Sequence, residues 1–197
     1  YAVAERNVAL CRAIGRPRHV LDVGCGGGLN GQGARGRGAT VVGIERDAAA
    51  RAAAAARLDE VLDVDLEDGA ALRSALGARR FDLVLCGDVL EHLTDPLEVL
   101  RTLLEHLDEE GRVVVSLPNI AAWTVRLGLL AGRFDYAPSG ILDRTHLRFF
   151  TRATAEALLR SAGLEILSRD ANPMLLRAVA KPLLAARASA DGDPTEL

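Results

Sequence analysis

The sequence predicts an α/β fold, a mostly parallel sheet with helices on both faces. Short apolar runs at residues 20–23, 40–44, 61–64, 81–86 and 111–117 alternate with helix-compatible segments at the period of βαβ units. The first run meets a glycine cluster, Gly24, Gly26, Gly27 and Gly28, which reads as strand, tight turn and helix. Glu45, Asp65, residues 87–92 and Pro118-Asn119 all follow the runs, at the carboxyl ends of strands where open parallel sheets bind their ligands.

In chain order, residues 2–14 place Val3, Val8, Leu10 and Ile14 at helical spacing and break at Gly15 and Pro17, which predicts a helix against the sheet edge. The strand at 20–23 is apolar apart from Asp22, and the turn after it lacks the Cβ atoms that would keep a ligand away from the backbone. Residues 29–36 form a short helix that Gly31, Gly33 and Gly36 make poor by propensity, so packing must hold it. Residues 40–45 are an apolar strand ending in Glu45, about 20 residues past the glycine turn, where α/β cofactor folds place a carboxylate on ribose hydroxyls.

Residues 48–58, nearly all alanine, predict a helix. A third strand spans 61–65, a helix closed by Gly77 spans 69–77, and a fourth strand spans 81–86. A polar loop at 87–96 leads into an amphipathic helix reaching about residue 107, then a fifth strand at 111–117. Past Asn119 the alternation stops: 121–131 reads as an apolar helix and 132–146 as a Gly/Pro-punctuated stretch rich in charge and aromatics. We read this as a lid inserted at about 120–150. A helix at 151–162, capped by Thr151 and ended by Gly163, precedes a strand at 164–168. Asn172-Pro173 is a turn, 174–180 an antiparallel partner strand, and 189–197 a disordered tail after a single domain at 1–188.

A length of 197 residues suits one domain with a sizeable core. The 49% hydrophobic and 26% charged content is ordinary for a globular chain, and no apolar run approaches the roughly 20 residues of a membrane span. No signal peptide is visible from Tyr1 onward. The net charge is −3 and Lys181 is the one lysine, so no lysine-rich surface points to nucleic acid. Cys11, Cys25 and Cys86 lack metal or redox spacing, which suits free thiols in a reducing cytoplasm and small buried residues rather than nucleophiles.

The glycine turn leaves three readings open. Gly26, Gly28 and Gly31 fit the dinucleotide spacing Gly-x-Gly-x-x-Gly, which with Glu45 suits an NAD-dependent oxidoreductase. Asp22-x-Gly24-x-Gly26-x-Gly28 resembles motif I of the class I S-adenosylmethionine (SAM) methyltransferases. A sharp strand-to-helix turn with no ligand is the third.

From about residue 20 to residue 180 the chain resembles a class I SAM-dependent methyltransferase. It is similar to the subgroup with Asp88-Val-Leu-Glu-His-Leu-Thr-Asp-Pro96 after the fourth strand and Ser116-Leu-Pro-Asn119 after the fifth. Gly132-Arg-Phe-Asp-Tyr136 and the stretch from Gly140 to Thr151 resemble bacterial members found among sugar and glycan biosynthesis proteins. The resemblance implies a Rossmann-like seven-stranded sheet with a lid after strand five. It also implies a cytoplasmic enzyme that methylates a hydroxyl of a small-molecule acceptor, a sugar or another biosynthetic intermediate. By it, the backbone of Gly24, Gly26 and Gly28 carries the methionine portion of SAM, Glu45 takes the ribose hydroxyls and Asp65 the adenine amino group, with Asp22, Leu66, Gly87 and Asp88 completing the cofactor site. Asp65 discriminates against NAD, and a non-catalytic interaction module of the same fold is the remaining alternative.

The sulfonium of SAM is already activated, so such an enzyme must hold the acceptor in line, exclude water and remove a hydroxyl proton. His92 and His146 are the candidate bases, with Glu91 and Asp95 near the first and Asp143 near the second. His106 and His19 read as surface residues. Asp88, Glu91 and His92 have the spacing i, i+3, i+4, so a helical turn would put them on one face, where with His146 they suit Mg or Mn. Similar segments ligate metal in ubiquinone-pathway O-methyltransferases and small-RNA 2′-O-methyltransferases, although Asp88 stands where those carry Glu. The alternative is that Asp88 and Glu91 cap a helix while His92 packs beside the cofactor. Arg133, Arg144 and Arg148 could grip an anionic handle or pair with Asp135 and Asp143. Trp123, Phe134, Tyr136, Phe149 and Phe150 would line the lid or fill its core.

Overall fold

The computed structural model describes residues 8–171 and 175–182. Five strands run parallel: β1 (His19–Val23), β2 (Thr40–Ile44), β3 (Glu60–Leu62), β4 (Phe81–Gly87) and β5 (Leu107–Pro118). β6 (Leu164–Ala171) and β7 (Leu175–Pro182) extend the sheet as an antiparallel pair, β7 lying between β5 and β6, in the order β3-β2-β1-β4-β5-β7-β6. The order reverses at β1 and β4, so the crevice beyond their carboxyl ends is the natural ligand site.

Period-2 alternation in the central strands feeds two cores. Leu21 and Val23 of β1, Val84 and Cys86 of β4, and Val113, Val115 and Leu117 of β5 face one side. There they meet Leu72 and Leu76 of α4 (Gly69–Leu76), Val99, Leu100 and Leu103 of α5 (Pro96–Leu104), and Ala155 and Leu159 of α7 (Arg152–Ser161). Val20, Leu83, Leu85 and Val114 face the other side. They pack with Leu10 of α1 (Val8–Ala13), Ala34 of α2 (Leu29–Arg35) and Ala54 of α3 (Ala48–Ala55). The helices start where the sequence supplies caps: Asp47, Asp68, Asp95 and Thr151 each accept a backbone N–H of the first turn, and Thr151 with Thr154 forms a reciprocal capping box.

Several boundaries differ from expectation. α1 packs on α2 and on β5, a central strand, and not against the sheet edge. α5 stops at Leu104 and β5 begins at Leu107, four residues before the expected 111, because Leu107 pairs with Phe81 and the polar run Asp108-Glu-Glu110 is absorbed at a register shift. His106 therefore lies in the turn between them, buried, with Nδ1 3.2 Å from the Arg79 carbonyl; it is not a surface residue. Between β5 and α7 the chain forms α6 (Trp123–Leu130) and an irregular segment, with isolated bridges pairing Asn119 with Phe150 and Ala137 with Asp143. The expected turn at 172–173 and tail at 189–197 lie outside the described residues.

Candidate functional site

The turn after β1 presents its backbone to open space at Gly26. Gly24 has φ +61°, and a Cβ there would collide with Val89 Cγ2. Gly26 has φ +52°, and a Cβ there would meet nothing within 4 Å, so the chain leaves open space where its backbone is most accessible. Glu45, just past β2, holds the turn in shape: Oε2 accepts from the Gly26 N–H at 2.9 Å and Oε1 from the Asp47 N–H at 2.8 Å. Each oxygen keeps a second lone pair for a ribose hydroxyl.

Asp22 does not face the crevice. Its carboxylate is buried, and Oδ2 accepts the Gly31 N–H of α2 at 2.8 Å, tying strand to helix. Burial pushes its carboxyl up to about 7, against the opposing pull of that hydrogen bond. Asp65 follows β3 by three residues; Oδ1 accepts from the Glu67 N–H at 3.0 Å and Oδ2 pairs with Arg46 Nη1 at 2.6 Å. Leu66 beside it is buried. Gly87 closes β4 against Asn30, whose Nδ2 would lie 2.9 Å from an added Cβ.

Asp88, at φ +54°, has positive φ, alone among the described non-glycine residues. This kink breaks the expected helical face before it starts. Asp88 Oδ1 accepts from Ser116 Oγ at 3.0 Å, whereas Glu91 and His92 lie in a 3₁₀ turn, Leu90–His92. The expected trio of Asp88, Glu91 and His92 is therefore not one face. Its place is taken by Glu91, His92 and His146, whose ligating atoms all lie within 4.8 Å of one another.

The His92 and His146 rings meet edge to face with centroids 4.8 Å apart, and His146 Nε2 stands 4.0 Å from Glu91 Oε1. His146 Nδ1 is 3.1 Å from the Ile141 carbonyl, which can only accept, so in the neutral ring Nδ1 carries the proton and Nε2 the lone pair. His92 Nδ1 lies 3.2 Å from the Thr145 carbonyl, which favours the same tautomer. Glu91 is 1% exposed, yet neither carboxylate oxygen has a hydrogen-bond partner. Burial, reinforced by the charge of Asp88, pushes its carboxyl up to about 8, and burial lowers the pKa of His146. An orphaned buried carboxylate beside two imidazoles is a donor set that could hold a divalent cation.

A cavity of about 490 Å³ opens between α6 and residues 133–142, lined by Val125, Gly128, Arg133, Asp135, Leu142 and Ile141, the residue whose carbonyl meets His146. Phe134 packs edge to face on Tyr136 and Phe149 over the lid, Phe150 is buried, and Trp123 is exposed. Of the two readings of the lid arginines, pairing holds for Arg133, which meets Asp135 at 3.0 Å, while Arg148 donates to the Thr94 carbonyl. His19 is exposed, as expected, and burial pushes the thiols of Cys25 and Cys86 up, which suits packing and not nucleophilic attack. Ile141 orients His146 through its backbone carbonyl, which no side-chain signal in the sequence marks, whereas Thr145 meets His92 Nδ1 with both its carbonyl and its Oγ1, each at 3.2 Å.

The model of the methyltransferase domain family matches residues 2–169. Ubiquinone biosynthesis O-methyltransferase of Cereibacter sphaeroides is 34% identical over 155 residues, covering 76% of this chain and 61% of the relative. The protein of the same name from Pseudomonas entomophila is 32% identical over 154 residues, covering 76% and 65%. The chain thus spans about three fifths of the length of these curated relatives. Among solved structures, an O-methyltransferase family protein of Burkholderia thailandensis superposes with a TM-score of 0.66 at 16% identity, over 89% of this chain and 54% of that one. A 1,6-didemethyltoxoflavin-N1-methyltransferase from the same organism, solved with 1,6-didemethyltoxoflavin and S-adenosylhomocysteine, superposes with a TM-score of 0.65 at 19% identity, over 89% and 75%. At these identities the structures establish the shared fold.

Proposed function

The chain belongs to the methyltransferase domain family, and on that premise we propose that it transfers a methyl group from SAM to a hydroxyl of a small-molecule acceptor. The observation that carries the oxygen acceptor is the orphaned Glu91 carboxylate facing the imidazoles of His92 and His146. The acceptor we favour is a sugar or another biosynthetic intermediate with adjacent hydroxyls, its body seated in the cavity between α6 and the lid. The chain acts as a single domain whose lid covers about residues 120–150. The buried thiols Cys25 and Cys86 suit a reducing cytoplasm, and no helix among the described residues is long and apolar enough to cross a membrane.

SAM, when bound, supplies a methyl group on a positively charged sulfur. The Gly24, Gly26 and Gly28 backbone holds its methionine portion, Glu45 its ribose, and Asp65 with Leu66 its adenine, while Asp22 and Gly87 shape the crevice from behind. A divalent cation, when bound, acidifies an adjacent hydroxyl, and Glu91, His92 and His146 would hold it. Glu91 then becomes ionised in spite of its burial, because the cation compensates the desolvation that otherwise keeps it protonated. The Ile141 carbonyl fixes the His146 tautomer, as carbonyls behind metal-ligating imidazoles do.

A second reading has one observation in its favour. The lowered pKa of His146 keeps its imidazole neutral near pH 7, competent to take the hydroxyl proton at Nε2 without a metal. The NAD reading loses ground to the family match and not to the glycine turn, since Gly31 packs closely on Asp22 and Leu58 as the third glycine of that register also would. Calorimetric titration with SAM, S-adenosylhomocysteine and NAD tests the cofactor: binding of the first two without NAD supports the proposal, and NAD binding alone rejects it.

A further inference from the structure

One peptide group ties the adenine side of the crevice to the lid. The N–H of the Thr94–Asp95 peptide donates to Glu67 Oε1 at 3.2 Å, and its carbonyl accepts from Arg148 Nη2 at 2.6 Å and Nε at 3.1 Å. A carboxylate at one end and a guanidinium at the other polarise this amide in the same direction, and charge-assisted bonds of this kind are the stronger ones. Glu67 gathers two more donors from the same place, the Thr94 N–H at 2.6 Å and Thr94 Oγ1 at 3.3 Å.

The two charged ends belong to different parts of the site. Glu67 stands in the loop after β3, and its own N–H donates to Asp65 Oδ1 at 3.0 Å. Arg148 closes the lid, two residues past His146. Its backbone N–H and that of Leu147 both donate to the carbonyl of Glu91, at 3.0 and 2.9 Å. β3 is only three residues long at the sheet edge, and the Leu90–His92 turn is a single turn, so neither element alone fixes these loops. Side chains must do so.

Resting on the function proposed above, we infer that Glu67 and Arg148 are positioning residues: a clamp on the Thr94–Asp95 peptide that couples the Asp65 loop to the lid and sets His146 against Glu91 and His92. Neither touches the reacting atoms. The pair holds the lid's return segment against the turn bearing Glu91 and His92. Occupancy of the adenine end, by ordering the Asp65 loop, reinforces the same hold.

The test is hydrogen exchange on the wild type, Glu67→Ala, Glu67→Gln, Arg148→Ala and the Ala double variant, each with and without S-adenosylhomocysteine. Glu67→Ala and Arg148→Ala are expected to speed exchange at residues 145–150 and 90–95 about tenfold, while the amides of β4 and β5 keep their rates. S-adenosylhomocysteine affinity stays within about threefold of the wild type in both, but the extra lid protection it confers on the wild type is lost. Glu67→Gln, which keeps an acceptor oxygen, stays within about threefold of the wild type, and the double variant exchanges no faster than the faster single one. A purely structural role would instead raise rates in β4 and β5. Wild-type lid exchange in either Ala variant, additive effects in the double variant, or undiminished ligand protection in Glu67→Ala would overturn the inference. If the wild type binds no S-adenosylhomocysteine, the proposed function fails, and lid exchange in the free protein still decides whether the clamp exists.

Discussion

The Nε2 atom of His146 faces Oε1 of Glu91 across 4.0 Å, with both side chains buried. That gap is too long for a hydrogen bond, and neither Glu91 oxygen finds another donor. Buried polar groups are rarely left unpaired, so the gap calls for a third party, a cation or an acceptor hydroxyl.

His146→Ala accordingly lowers methyl-transfer turnover by about a hundredfold or more and leaves SAM affinity nearly unchanged. Steady-state rates with parallel calorimetry check this. His92→Ala does the same and also abolishes any divalent-metal dependence. If a chelator leaves wild-type turnover untouched, the direct-base reading of His146 stands and the metal does not.

Gly24 and Gly26 separate folding from binding. Gly24→Ala drives a methyl group into Val89 at a positive φ and should cost about 2 kcal/mol or more in denaturant unfolding. Gly26→Ala costs only the backbone strain, about 1–2 kcal/mol, because no atom opposes its Cβ. It fills the open space instead, so its SAM affinity falls by about tenfold or more.

Much of the fold is legible in the sequence because strand alternation and caps are local signals. The strand order along the chain, the glycine turn and the Thr151 cap fall where they are expected, although β3 is shorter than the expected 61–65. What escapes depends on partners far along the chain. β5 starts early because Leu107 finds Phe81, and His106 is buried because α5 has already ended. The metal-compatible cluster is half legible: Glu91 and His92 are adjacent in sequence and His146 is recognisable in the lid. Asp88, grouped with them by helical spacing, leaves that face at a positive φ and accepts from Ser116, while its charge still acts on Glu91. Asp22 looks like a cofactor ligand in a motif but is a buried brace for α2.

The state of Asp22 should be readable in stability against pH. Its folded-state pKa is raised to about 7 from an ordinary 3.8, chiefly by burial. The folded protein therefore binds more protons than the unfolded chain between these values. The stability from Asp22 is fully present below pH 3.8 and is lost as pH rises through about 7. Asp22→Asn, which can still accept from Gly31, should flatten this slope, a difference of order a few kcal/mol in unfolding free energy between about pH 4 and pH 8.

Glu45 serves the turn as well as the ligand. Glu45→Ala removes the acceptors of the Gly26 and Asp47 N–H groups. Stability is expected to fall by about 1–2 kcal/mol and SAM affinity by about tenfold or more, as read by thermal unfolding and calorimetry. Unchanged affinity would remove Glu45 from the cofactor site.

The most direct measurement follows a labelled methyl group from SAM into extracts of the source cell, with the carbon position of the product assigned by NMR. The account predicts wild-type transfer to a hydroxyl oxygen of a small molecule, giving a methyl ether, with the signal reduced about a hundredfold in His146→Ala. Label on nitrogen or carbon, or equal transfer by the two proteins, would contradict it.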